Sequence, residues 1–249
     1  MAPIAIMTPE HAKLLTEIRG LARPSHREKQ INDSYGGSGR PFYNVSVPDR
    51  RAIAKRWLAA HKAAPVKEIC ETIESLFEGE SHEEKTLACL FLAMSAPIRA
   101  SVKPKDIERW LGKLNGWAEV DSLCQNVFTD ELSSDWPNWQ KLIARLSKSK
   151  DINKRRASLV LLTRPSAVFR DAHFRDEAFE VIERLQAERD ILITKAVSWL
   201  LRSMTTHHRK AVAAFMKANA EMLPKIAIRE TNTKPKTGTK SGRNKRAAA

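Results

Sequence analysis

The sequence predicts an all-α chain, an α-α superhelix (solenoid) of stacked helical pairs, and three observations carry that prediction. Apolar residues recur at helical spacing along most of the chain. Alternating, strand-like stretches are absent, and only nine glycines occur in 249 residues. The breaks between periodic segments are short and consist of Pro, Gly or Asp/Ser clusters. Thr8-Pro9 opens the first helix, with Pro9 where no backbone donor is needed, and Leu14, Leu15, Ile18 and Leu21 supply its apolar positions. Ser34 to Pro41, containing Gly36, Gly37 and Gly39, is the clearest internal loop. Pro48 begins a second helix reaching to about Lys62, and Pro65 a third reaching to Phe77. Ser81-His82-Glu83-Glu84 has capping-box spacing ahead of a mostly apolar helix that ends near Pro97. Further helices are expected at about 105–114, 117–128, 136–147, 152–163, 174–188, 190–204 and 206–220.

Helices this numerous with short connections suggest antiparallel pairs, and their spacing is compatible with degenerate HEAT units. An irregular helical globule is the other reading at this point; the lack of one long central hydrophobic helix favours the solenoid. Residues 1–230 are expected to form one repeat domain. The last segment, 231–249, is polar and cationic and is expected to be a disordered tail in isolation.

Lys plus Arg number 43 against 29 Asp plus Glu, a formal charge of +14. Lys234, Lys236, Lys240, Arg243, Lys245 and Arg246 lie in the tail with no acid beside them, yet the rest of the chain is basic as well. A basic body, unlike a basic tail alone, points to a polyanion as partner, because each neutralised phosphate releases a counterion. Cys70, Cys89 and Cys124 are odd in number and scattered, which argues against a disulfide framework and for a reducing compartment. No basic-then-apolar leader opens the sequence, and the longest nearly apolar run, Leu87 to Ile98, is too short for a bilayer. The expected location is the cytoplasm.

Metal and nucleotide chemistry find little support. Seven histidines occur without HExxH, CxxC or a carboxylate cluster at ligand spacing, and His207-His208 reads as a surface or boundary pair. The glycines of the 34–41 loop do not form GxxxxGK. No cofactor or metal is expected. Three segments say more. In Trp117-Ala-Glu-Val-Asp121 the indole and the carboxylate share a helix face at i and i+4. Lys154-Arg155-Arg156 opens a helix with three cations. In Lys195-Ala-Val-Ser-Trp199-Leu-Leu-Arg202 the spacings put Lys195, Trp199 and Arg202 on one face. Each has a plainer explanation: a tryptophan is more often core, an Asp often caps a helix, a basic triplet is usually a solvated face, and Lys and Arg stems cover a neighbouring ring. Joint occurrence changes the weighing. Asp121, Arg156 and Trp199 are 35 and 43 residues apart, close to one two-helix repeat, so successive units could present them along one surface.

These segments resemble the AlkD-like family of DNA alkylation repair glycosylases. The likeness runs from about Tyr35 to Arg229. It is carried by Val47-Pro48-Asp49-Arg50-Arg51, Trp117-x-x-Val120-Asp121, Arg155-Arg156-Ala157 and Lys195-Ala196-x-x-Trp199-x-Leu201-Arg202. The resemblance implies a right-handed solenoid of HEAT-like pairs whose concave face holds duplex DNA, acting in base excision repair and near the nucleoid when bound. By motif, Asp121 matches the family's catalytic carboxylate, Trp117 and Trp199 its aromatic pair beside the lesion, and Arg156 an arginine of the same cleft. Tyr35 matches a further cleft aromatic. Lys195, Arg202, Arg50 and Arg51 are the expected backbone contacts. Ala118 departs from the many relatives that carry an acid after the tryptophan.

The implied chemistry is hydrolysis of the N-glycosidic bond of purines alkylated at N3 or N7. Such bases are cationic and leave readily, and a carboxylate fixed near the developing sugar cation stabilises the transition state or orients water. The implied partner is double-stranded DNA bearing alkylated bases, met by a monomer and recognised along its backbone. A non-catalytic binder of branched or damaged DNA and a helical scaffold for proteins are the competing readings, since fold alone does not settle function.

Overall fold

A computed structural model describes residues 7–24, 37–125 and 127–237. Among them are fourteen helices and no strands, so the chain has the expected all-α repeat fold. It divides into two compact units, Met1–Glu131 and Leu132–Ala249.

The first unit contains α1 (Pro9–Gly20), α2 (Val47–Ala60), α3 (Val66–Glu78), α4 (His82–Met94), α5 (Ala96–Ser101), α6 (Pro104–Leu111) and α7 (Gly116–Cys124); α8 (Thr129–Ser134) spans the division. Caps start several of these helices where the sequence places them. The Thr8 side chain accepts from the His11 amide, Ser46 from Asp49, and Ser81 forms the full capping box with Glu84. Helices α2, α4 and α7 pack in succession, while α1 and α3 cover α2 and α4. Stacked rings join them: Trp57 on Phe91 at 4.7 Å between α2 and α4, and Phe77 on Trp110 at 4.8 Å between α3 and α6.

Helix α4 is the centre of this unit, enclosed from His82 to Cys89. Its first turn therefore takes charge into the interior, and each charge has partners. Glu83 accepts from the amides of Tyr43 and Val45 at 3.0 and 3.3 Å. Glu84 accepts from the Ser81 amide at 2.8 Å and lies 2.7 Å from His11 Nε2. Burial pushes the Glu84 carboxyl upward, but the bonds from His11 and Ser81 outweigh it and hold the group below the ordinary range. A Cβ on Gly79 would collide with the Glu84 carboxylate, so the α3–α4 turn closes only over glycine. Burial also pulls the Lys85 ammonium down to about 8 and pushes the Cys89 thiol far up. Cys124 is buried and Cys70 half-buried.

The second unit repeats the scheme with α9 (Trp136–Leu146), α10 (Ile152–Val168), α11 (Ala172–Leu185), α12 (Ile191–Met204), α13 (Arg209–Ala218) and α14 (Lys225–Thr237). Helices α10, α12 and α14 pack in succession, with α9, α11 and α13 against them. Trp136 meets Phe174 edge-on at 4.9 Å, and Phe179 stacks on Phe215 at 4.2 Å, joining α9 to α11 and α11 to α13.

Three sequence expectations are corrected. Helix α10 does not stop near 163 but continues through Pro165 to Val168. An interior proline costs roughly 3 kcal/mol, which the near-complete burial of Leu159, Val160, Leu161 and Leu162 offsets. Helices α5, α8 and α14 stand where none was expected. The expected break after Glu230 falls inside α14, where Ala227 and Thr231 are 0% and 2% exposed. Burial against α12 orders a stretch whose composition alone reads as tail. No described helix is long and apolar enough to cross a membrane.

Candidate functional site

Helix α7 presents Trp117 and Asp121, and its start explains how. Gly116 opens the helix with φ of 71°, a left-handed conformation that glycine accepts without strain. Three residues on, the carboxylate of Glu119 is fully enclosed. It accepts from the Asn115 amide at 2.9 Å and from Arg40 Nε at 3.3 Å, with His82 Nδ1 at 3.4 Å. A buried carboxylate is tolerable only with such donors, so Glu119 fixes the rotation of α7. Val120, Leu123 and Cys124 face the core. Trp117 and Asp121, one turn apart, are left half-buried on the open side. Beside this anchor lies a cleft of about 450 Å³ bordered by Arg40, Lys85, Lys113, Glu78 and Glu80. Both signs of charge line it.

Arg50, expected at the DNA surface, is an internal tie instead. It is 8% exposed, and its guanidinium donates to Thr86 Oγ1, joining α2 to α4. Burial lowers its pKa and the Glu83 carboxylate opposes the shift. Arg51, the next residue, is exposed. Tyr35 lies outside the described residues.

In the second unit, Arg156 on α10 is 3% exposed and donates from Nη1 to the Leu192 carbonyl at 2.5 Å, in the first turn of α12. Arg155 clamps Glu188 through two bonds of 2.7 and 3.0 Å. The basic triplet thus secures the α10–α12 packing as well as adding charge. On α12, Lys195, Trp199 and Arg202 are all half-buried. Both cations approach one carboxylate on α14: Lys195 Nζ and Arg202 Nε lie 3.6 Å from Glu230. Ser198 Oγ donates to the same carboxylate at 2.7 Å.

Trp117 and Asp121 therefore form one group in the first unit, and Lys195, Trp199 and Arg202 another in the second, next to the α12 end that Arg156 holds. Sequence reasoning missed Glu119, Ser198 and Glu230. The signal that could have found them was spacing: Glu119 follows His82 by 37 residues and Glu230 follows Ser198 by 32, about one helical pair. Among the described residues no cluster of His, Cys, Asp and Glu could hold a metal ion.

Residues 14–234 match the family model described as DNA alkylation repair enzyme. The chain belongs to the DNA alkylation repair enzyme family. A solved structure described as a predicted DNA alkylation repair enzyme from Enterococcus faecalis superposes with a TM-score of 0.64 at 18% identity. The superposition covers 90% of this chain and 94% of that one, and at this identity it establishes the shared fold. No curated protein matches the sequence. Membership assigns the chain to DNA repair and to an enzymatic role.

Proposed function

We propose that the protein is a monomeric DNA N-glycosylase that releases cationic N3- or N7-alkylated purines from duplex DNA. The observation that carries this reading is the pairing on α7, where a half-buried carboxylate and a half-buried indole share the one open side of a rigidly anchored helix. Alkylation gives the purine a positive charge, so the C1′–N bond can break with its electron pair leaving on the base, which departs neutral. The sugar is left cationic at C1′. Water adds there and gives up a proton. The Asp121 carboxylate stabilises the developing positive charge or orients the attacking water. The faces of Trp117 and Trp199 attract the cationic nucleotide, each contributing about 1 kcal/mol where partly exposed. Lys195, Arg202 and Arg51 hold backbone phosphates, which position the duplex without reading its sequence. Arg156 supports the α12 face that carries Lys195 and Arg202 by fixing the start of that helix.

The test is single-turnover release of alkylated base from a defined duplex by the wild type and Asp121→Asn. The substitution keeps shape and removes charge. Release is expected to fall by at least about 10²-fold, the scale of losing one preorganised electrostatic partner, with duplex affinity nearly unchanged. Equal release by both proteins removes Asp121 from the reaction. Binding of damaged duplex without any release by the wild type makes the chain a non-catalytic recognition protein.

A further inference from the structure

We propose that Glu230 is a positioning residue that moderates the pull of the α12 face on phosphate, so that undamaged duplex is held weakly. The inference rests on the reading of Lys195, Trp199 and Arg202 as a DNA-contacting face, and its test separates the two.

Three α12 side chains one turn apart converge on this one group. Ser198 Oγ donates to Glu230 Oε2 at 2.7 Å, Lys195 Nζ is 3.6 Å from Oε1, and Arg202 Nε is 3.6 Å from Oε2. Arg202 Nε also donates to Ser198 Oγ at 3.4 Å. Glu230 is 6% exposed, so its charge acts where water screens little. Trp199 follows Lys195 by four positions and precedes Arg202 by three, so the two cations flank the indole on its own helix face. Burial weakens the hold of Arg202 on its proton and the Glu230 carboxylate opposes that effect. One acid therefore does two things. It fixes where two long, otherwise adaptable cationic side chains end, on either side of the ring. It also draws down the field they project toward a polyanion.

A repair enzyme meets undamaged DNA in large excess, and binding through phosphates alone is the same for damaged and undamaged duplex. Weakening that uniform attraction leaves a larger share of discrimination to the cationic lesion and the aromatic faces. Lys195 and Arg202 without a counter-carboxylate would bind any duplex more tightly.

The experiment measures binding of the full chain to an undamaged duplex and to the same duplex carrying one alkylated purine, across a series of KCl concentrations. Wild type is compared with Glu230→Gln, Glu230→Asp and Lys195→Ala, and Tm is recorded for each. Glutamine keeps the shape and an acceptor for Ser198 but loses the charge. Glu230→Gln is expected to bind undamaged duplex about 3–10-fold more tightly at low salt. Its slope of log K against log salt should steepen by about 0.9 for each additional phosphate neutralised, and its preference for damaged duplex should shrink. Glu230→Asp, with the carboxylate drawn back by one methylene, should be intermediate. Lys195→Ala should flatten the slope. A merely structural Glu230 would lower Tm and leave the slope at the wild-type value, which overturns the proposal while a flattened Lys195→Ala slope keeps the DNA-face reading intact. An unchanged slope for Lys195→Ala overturns the DNA-face reading itself. Should Glu230→Gln not fold, a wild-type slope for Glu230→Asp overturns the proposal.

Discussion

Lys85 shows how a single side chain can make stability depend on pH. Its ammonium donates to the Phe77 carbonyl near the end of α3, and burial brings its pKa from the ordinary 10.5 to about 8. Between those two values the unfolded chain holds a proton that the folded chain has released. Stability from this group therefore rises with pH across that window and is constant below about 8. Cys89 acts in the opposite direction once an unfolded thiol ionises, because its own folded thiol stays protonated. Comparison with a variant isolates the lysine. Relative to Lys85→Met, the wild type is expected to gain on the order of 5 °C in Tm between pH 7 and about 9.5, read by thermal denaturation at a series of pH values. Parallel profiles for the two proteins would show that Lys85 keeps an ordinary proton affinity in the fold.

At the level of helices, α14 separates what the tail does from what the fold needs. Truncation after Glu230 removes buried Thr231 and the second half of α14, and is expected to lower Tm. Truncation after Thr237 removes Lys240, Arg243, Lys245 and Arg246 and leaves α14 whole. That shorter cut should keep Tm, reduce the salt dependence of duplex binding by up to about 0.9 for each phosphate the tail no longer neutralises, and leave lesion choice unchanged. Equal Tm losses for the two cuts would place the end of the folded structure beyond Thr237. The same helix marks the limit of reading a sequence by local signals. Caps at Thr8, Ser46 and Ser81, and the periodicity between them, are local, and the helices they start were legible. So was the α7 pair, because i and i+4 on one helix need no tertiary knowledge. Helix α14 was not legible, since Lys225 to Thr237 is polar and the burial that stabilises it comes from α12. Nor could the sequence show that Pro165 sits inside a helix, or that Arg50 turns inward to Thr86 while Arg51 next to it stays outside. Those outcomes depend on a neighbour about one helical pair away.

Taken whole, the molecule is two compact units, and the family match over residues 14–234 spans both. The carboxylates enclosed in each unit, Glu83, Glu84 and Glu119 in the first and Glu177 and Glu230 in the second, all find partners on a different helical pair or on the loop entering one. Glu177, for example, accepts from Gln140 at 2.8 Å. Such ties make each pair depend on the next, as expected of a repeat array. The positive charge of +14 belongs to the same scale, because it acts on a polyanion as a field rather than through any one side chain. The burial of the cysteines has its own meaning for a protein of this family. Reagents that methylate purine nitrogens also attack sulfur, and they do so through the thiolate. Cys89 offers almost none of that form, and Cys124 is shut away, which leaves Cys70 as the most accessible thiol. Peptide mapping after exposure to a methylating agent should find Cys70 the first thiol modified, with the interior thiols untouched while the fold persists, so the core of the first unit is shielded from the reagents whose damage this family repairs.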